Sequence, residues 1–175
     1  MVSKVGSKVT HIKAGDRVVY AQSPLGAYSS VHNVPADKTA ILPNAISFEQ
    51  AAASFLKGLT VFYLLRKTYE IQPDEPFLFH AAAGGVGMIA CQWAKALGAK
   101  LIGTVGNAQK AQIALQAGAW QVINYREESI VERVKEITGG KKVRVVYDSV
   151  FIRRLLCPAV WVPKPQAWSV KSVAK

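Results

Sequence analysis

The stretch Ala81-Ala-Ala-Gly84-Gly85-Val86-Gly87 decides how this chain folds. It follows the apolar run Phe77-Leu-Phe-His80 and opens a helix-like periodic segment, Val86 to Leu97. Its spacing is Ala82-x-Gly84-x-x-Gly87. A dinucleotide pyrophosphate needs small residues here, because the chain must turn tightly, approach the anion with its backbone and pack helix against strand. The start of the helix then supplies free N–H groups and a partial positive charge. A glycine-rich loop by itself also makes ordinary tight turns, so its setting carries the weight. A strand precedes it, a helix follows, and a second strand, Leu101-Ile-Gly-Thr-Val105, arrives within about 30 residues, the arrangement that confirms the motif.

Downstream the alternation continues. Gly98 caps the first helix. Ala108 to Ala117 reads as a helix stopped by Gly118, Val122 to Asn124 as a strand, Ser129 to Thr138 as a helix and Val143 to Tyr147 as a strand. This predicts an α/β fold: an incomplete Rossmann-type doubly wound parallel sheet with helices on both faces. In the strand order 3-2-1-4-5-6, stopping after four strands leaves Val143 to Tyr147 with an unpaired edge, so instability or aggregation is expected.

Upstream, Ser47-Phe-Glu-Gln50 has the spacing of a capping box and predicts a helix start. A second apolar helix is expected after Gly58, from Leu59 to about Tyr69, and a turn at Pro73-Asp74. Residues 1–43 alternate β-rich pieces, Arg17-Val-Val-Tyr20 and Tyr28-Ser-Ser-Val31, with the turn formers Gly15-Asp16 and Ser23-Pro24-Leu25-Gly26. They suit hairpins of a small barrel. The resulting divisions are 1–46, 47–150 and 151–175.

The 175 residues fit one sizeable core, with 50% hydrophobic and 19% charged. No apolar run reaches the ~18 to 20 residues of a membrane span. The amino terminus lacks the apolar stretch of a secretory signal, so a cytoplasmic address is expected. Two cysteines, Cys91 and Cys157, suit neither a four-cysteine zinc lobe nor an oxidised scaffold, and Cys91 reads as a buried helix residue. His11, His32 and His80 are scattered and receive no metal role.

The second strand also speaks to cofactor type. An NAD site usually places an acid about 20 residues after the loop, on the ribose 2′-hydroxyl. Here the stretch is Gly103-Thr-Val-Gly106-Asn107-Ala-Gln-Lys110, without an acid. A 2′-phosphate would meet no repulsion, and Lys110 could pair with it, which favours NADPH. Taken alone, Lys110 reads equally as a solvated helix lysine, and Tyr125 as a half-buried tyrosine that could also reach the phosphate.

Gly15-Asp-Arg-Val18, Gly26-Ala-Tyr-Ser-Ser-Val31, Ala51-Ala-Ala53, Gly58-Leu-Thr60 and His80-Ala-Ala-Ala-Gly-Gly-Val-Gly87 occur in that order. Together they resemble the NADPH-dependent quinone oxidoreductases, the zinc-free, zeta-crystallin-like branch of the medium-chain dehydrogenase/reductase superfamily. The similarity runs from about Val2 to Val150. It implies a fragment of a GroES-like β-barrel domain before the Rossmann domain. It also implies that Thr60, Gly84, Gly85, Val86, Gly87, Gly106, Lys110 and Tyr125 line an NADPH site, with Lys110 and Tyr125 near the 2′-phosphate. Hydride transfer from NADPH to a small-molecule quinone follows, in a homodimeric family without zinc. No catalytic acid or base is evident, which suits a reaction governed by positioning. An alkenal or enoyl reductase of the same superfamily, or a non-catalytic nucleotide-binding remnant, is the alternative.

Against the family pattern the chain reads as truncated at both ends, so weak NADPH binding without turnover is expected. The net charge of +11 is uneven: residues 151–175 hold Arg153, Arg154, Lys164, Lys171 and Lys175 without an acid, and the remainder has 17 basic and 11 acidic residues, a net +6. Trp161 and Trp168 with this charge suggest single-strand nucleic-acid binding, a minor reading beside the dinucleotide motif. The resemblance stops where the acids vanish, so 151–175 reads as a frame-shifted or replaced tail. Shifting the reading frame of the coding DNA after codon 150 should then yield a helix opened by glycine; its absence in both alternative frames would reject the frameshift.

Overall fold

A computed structural model describes residues 1–21 and 25–149 of the chain. The basic tail, with Cys157, Trp161 and Trp168, and the Ser23-Pro24 part of the predicted turn lie outside the described residues. The chain divides into two units, Met1–Thr60 and Val61–Lys175.

In the first unit, β1 (Val18–Tyr20) pairs antiparallel with β2 (Thr39–Ile41), in the register Val18 to Ile41 and Tyr20 to Thr39. The sequence places the second strand at Tyr28 to Val31, and the structure corrects this: that segment is turn. Gly26 adopts φ +138°, and Ser29 folds back on it, with its N–H 3.1 Å and its hydroxyl 2.5 Å from the Gly26 carbonyl. A serine that satisfies its own neighbourhood leaves no extended ladder to join. The part-barrel expected here is, among the described residues, this two-stranded ribbon.

Arg17 ties the ribbon to the following helix. Its guanidinium donates to the carbonyls of Pro43 (3.1 Å) and Ile46 (2.7 Å) and lies 4.6 Å from the Phe48 ring centroid. Helix α1 (Phe48–Phe62) begins at the expected capping box: Ser47 N–H donates to Gln50 Oε1 at 2.9 Å, and Gln50 N–H to Ser47 Oγ at 3.1 Å. The predicted break at Gly58 is absent, and α1 runs through it. A single interior glycine costs only about 1 kcal/mol, and to end a helix it must adopt a positive φ, which Gly58 does not.

In the second unit, the helix continues with π geometry over Tyr63–Thr68 before the turn at Asp74, whose φ is +59°. Then come β3 (Pro76–Phe79), α2 (Gly85–Ala96), β4 (Lys100–Val105), α3 (Ala108–Gln116), β5 (Gln121–Asn124), α4 (Ile130–Ile137) and β6 (Val146–Tyr147). The four strands are parallel in the order β5-β4-β3-β6, as the alternating pattern predicts. Gly98 at φ +70° ends α2, with Ala99 N–H donating to the Ala94 carbonyl at 2.9 Å.

Strand alternation separates two cores. Phe77, Phe79, Leu101 and Val105 face α2 and α3 through Ala90, Cys91, Ala94 and Ala114. Leu78, Ile102 and Ile123 face α4 through Ile130 and Val134. Strand β6 is shorter than the predicted Val143 to Tyr147: Val146 and Tyr147 pair with Leu78 and Phe79, while Val143 makes an isolated bridge and a bend at Arg144 separates the two. Its partner β3 opens on Pro76, which has no N–H to extend the ladder. Among the described strands β6 is at the edge.

Gly103 joins sheet to loop. A Cβ there would stand 2.5 Å from the Ala82 Cβ, closer than two carbons can approach. Gly103→Ala should therefore lower the unfolding free energy by about 1–3 kcal/mol in urea denaturation. Ala82→Gly should recover part of that loss in the double variant, and strictly additive losses would show the strain to lie elsewhere.

Candidate functional site

The loop after β3 is built from backbone contacts. Ala81 sits at φ +53°, a left-handed conformation that costs a non-glycine residue roughly 1–2 kcal/mol. Three bonds hold it: Ala82 N–H donates to the Thr104 carbonyl (3.1 Å), Gly84 N–H to the Ala81 carbonyl (2.8 Å) and Met88 N–H to the Gly84 carbonyl (2.8 Å). A Cβ on Gly87 would collide with the Ala81 carbonyl oxygen and lie 2.6 Å from that of Ala82, so α2 reaches the loop only because residue 87 has no side chain. Cys91, buried one turn further on, points its thiol at the Ala82 carbonyl (3.9 Å). Burial pushes that thiol up to about 11, so it stays protonated at neutral pH.

This loop leaves one end of α2 bare. Gly84 occupies the cap position, no side chain caps the helix, and its first turn holds no acid. Among the described residues, the N–H groups of Gly85, Val86 and Gly87 meet no acceptor. Gly84 and Gly85 are exposed, and Gly87 is buried against the loop. Three uncommitted amides at the positive end of a 12-residue helix form a receptor for an anion.

The same edge of the sheet continues across β4 and β5. Gly106 follows β4, and a Cβ there would lie 2.7 Å from the Tyr125 hydroxyl and 3.7 Å from Arg126 Nε. The structure thus brings Gly106 and Tyr125 together, with Tyr125 44% exposed, close to the half-buried tyrosine the sequence allowed. Lys110 lies in the first turn of α3 with an exposed side chain. Its N–H is taken by the Asn107 side chain at 2.8 Å, so α3, unlike α2, caps itself. Thr60 lies on α1 in the first unit, where its hydroxyl donates to the Leu56 carbonyl of its own helix at 3.0 Å.

Sequence reasoning missed two partners of this edge. Gly103 carried a signal, since an isolated glycine inside a strand marks close approach of another chain segment. Arg126 carried none beyond following Tyr125 at a strand end. His80, at the end of β3, is 3% exposed, with Nδ1 2.8 Å from the Thr104 hydroxyl and Nε2 buried without a partner. Among the described residues, no group of three or more His, Cys, Asp or Glu is placed to hold a metal ion, and no helix is long and apolar enough to cross a membrane.

A family described as zinc-binding dehydrogenase matches residues 85–162. The quinone oxidoreductase of Salmonella typhimurium is 89% identical over 150 residues, covering 86% of this chain and 46% of that protein. The crystal structure of Escherichia coli quinone oxidoreductase complexed with NADPH matches with a TM-score of 0.87 and 82% identity, over 91% of this chain and 50% of that one. The 2-haloacrylate reductase of a Burkholderia species is 44% identical over 152 residues, 86% of this chain and 46% of that protein. The chain thus spans about half the length of the curated relatives it matches.

His80 provides a test of the loop's surroundings. Desolvation holds its pKa below the ordinary 6.5, against a smaller upward pull from the Asp148 carboxylate. A depressed folded-state value means the unfolded chain takes up the proton first. The stability His80 contributes is therefore complete above about pH 6.5 and is lost as pH falls through the depressed value. His80→Gln should remove that slope from stability measured between pH 7 and roughly pH 5; an unchanged profile would show that the ring titrates freely.

Proposed function

We propose that this chain is part of a quinone oxidoreductase, a reading its likeness to the proteins of Salmonella typhimurium and Escherichia coli supports, and that it binds NADPH along the edge formed by the ends of β3, β4 and β5. The observation that carries the reading is the bare amino terminus of α2 above a loop closed by the Gly87 contact. The cofactor, when bound, supplies a hydride to an oxidised acceptor, and we assign a quinone as the acceptor of the whole protein.

The chain's own residues bind and orient. The N–H groups of Gly85, Val86 and Gly87 donate to pyrophosphate oxygens, and the helix end stabilises their charge. Gly87 lets α2 begin against the loop, where a Cβ would collide with the carbonyls of Ala81 and Ala82, and so sets the position of the amides that meet the diphosphate. Gly106 leaves room beside the Tyr125 hydroxyl, which donates to the 2′-phosphate, and Lys110 pairs with the same group. Thr60 enters this reading through the family resemblance alone. The motif's apolar surroundings, with Phe79, Val105 and Ala82 buried, hold the loop rigid against the sheet. A cytoplasmic address belongs to the same proposal.

A second acceptor class has its own support. The relative that is 44% identical is named for reducing 2-haloacrylate, an activated alkene. Initial rates of NADPH oxidation by the whole protein with 1,4-benzoquinone and with 2-chloroacrylate separate the two, and a higher specificity constant for the alkene would replace the quinone reading.

Titration of the chain with NADPH and NADH, followed by nucleotide fluorescence and melting temperature, tests the site itself. NADPH should bind more tightly than NADH. Lys110→Gln should raise the NADPH dissociation constant about tenfold, the size of one charge-assisted hydrogen bond, and change NADH little. No binding of either nucleotide would remove the site, and equal binding would remove the role of the 2′-phosphate.

A further inference from the structure

We infer that Arg126 is a second cation for the 2′-phosphate and sets, with Lys110, the preference for the phosphorylated dinucleotide; this deepens the NADPH reading and rests on it. Tyr125 N–H donates to the Val105 carbonyl at 3.1 Å, which carries the chain one residue past β5 while still beside β4. Arg126 is the next residue, so its side chain leaves the backbone at the same end of the sheet.

The backbone of Arg126 is fixed. Its N–H donates to Asn124 Oδ1 at 3.3 Å, and Asn124 is itself 7% exposed. The Asn124 carbonyl accepts from Glu127 N–H (3.0 Å) and Glu128 N–H (2.9 Å), closing a turn around Arg126. The guanidinium, by contrast, is uncommitted: among the described residues it makes no ion pair or hydrogen bond. Glu128 is occupied by Arg133, 2.6 Å away, and by the Asn124 N–H at 3.1 Å. No ion pair among the described residues joins the side chains of Glu127 and Arg126.

Geometry then gives this free cation a place. Arg126 Nε and the Tyr125 hydroxyl lie 3.7 Å and 2.7 Å from one point, the Cβ position that Gly106 leaves empty. The two donors therefore lie together against Gly106, at the end of the strand where a dinucleotide places its adenosine ribose. Guanidinium offers a planar fork that matches phosphate oxygens two at a time, which an ammonium does not. A ribose 2′-hydroxyl gives that fork no charge to meet, so the contact discriminates between the two nucleotides.

NADPH and NADH titrated into the wild-type chain, Arg126→Gln, Arg126→Lys and Lys110→Gln test the inference. Arg126→Gln is expected to weaken NADPH about five- to tenfold and to leave NADH within about twofold, with Arg126→Lys between the two. The melting temperature without nucleotide should not change, because no folded-state partner is lost. Unchanged NADPH binding in Arg126→Gln, alongside a loss in Lys110→Gln, overturns the role of Arg126 and leaves the site reading intact. Equal losses for both nucleotides also overturn it, since a merely structural residue would act on both. A wild-type chain that does not prefer NADPH overturns both readings together.

Discussion

The carbonyl oxygens of Ala81 and Ala82 occupy the space where a side chain at residue 87 would have to go. Helix α2 can therefore start at that depth only on glycine, and the direction of its axis follows from the contact. The loop cannot yield, because Ala82 is bonded through its N–H to Thr104 and packed against Gly103 of β4. Two close approaches in succession, Gly87 on the loop and the loop on Gly103, fix the helix to the sheet without any polar side chain. The amides of residues 85–87 are left without acceptors as a consequence of packing, which is how a structural constraint can present donors to an anion.

That constraint is useful only on a rigid platform, and strand alternation provides one. Phe77 and Phe79 enter one core while Leu78 enters the other, and Leu101 and Ile102 divide in the same way along β4. Each strand is clamped from both sides, as parallel sheets require. The loop carrying the left-handed Ala81 stands directly on this doubly packed pair of strands. Local strain of one or two kcal/mol persists only where the surroundings over-determine the backbone, and here they do.

The parts of this architecture that were legible in the sequence are those specified by short-range chemistry. Ser47 and Gln50 exchange hydrogen bonds as their spacing dictates, Gly98 ends α2 with a positive φ, and the helices and strands after Pro76 follow apolar period. What escaped was decided at longer range or by competition. Gly58 looked like a stop, but without a left-handed conformation it is only a weak helix residue. Tyr28 to Val31 had strand composition, yet the Ser29 contacts with Gly26 were locally better. β6 takes its ladder from β3, which opens at Pro76, 71 residues upstream of Tyr147, a partner no local window contains. At the candidate site, Gly87 is the glycine whose contact, with the carbonyls of Ala81 and Ala82, follows from the tight helix-to-strand packing its spacing predicts. The position of Arg126 beside Gly106 depends on how two parallel strands end side by side, which no single segment encodes.

The two helix ends that face this edge differ in a way that assigns them different work. The start of α2 has no cap and no acid in its first turn, so its amides and dipole are available to a diphosphate. The start of α3 is closed by Asn107, which accepts from the Lys110 N–H. An anion arriving there finds part of the helix end already satisfied, and selectivity must come from side chains that reach past it. Lys110, Tyr125 and Arg126 are placed to do so, and none is bound up in an ion pair among the described residues. Backbone amides respond to any phosphate, whereas side-chain cations respond to the one extra phosphate that separates two dinucleotides. In the proposed binding mode, general affinity comes from α2 and discrimination from the ends of β4 and β5. On that proposal, a sequence change at the second position would alter cofactor choice without disturbing the Gly87 contact, which is made by backbone atoms of the loop alone.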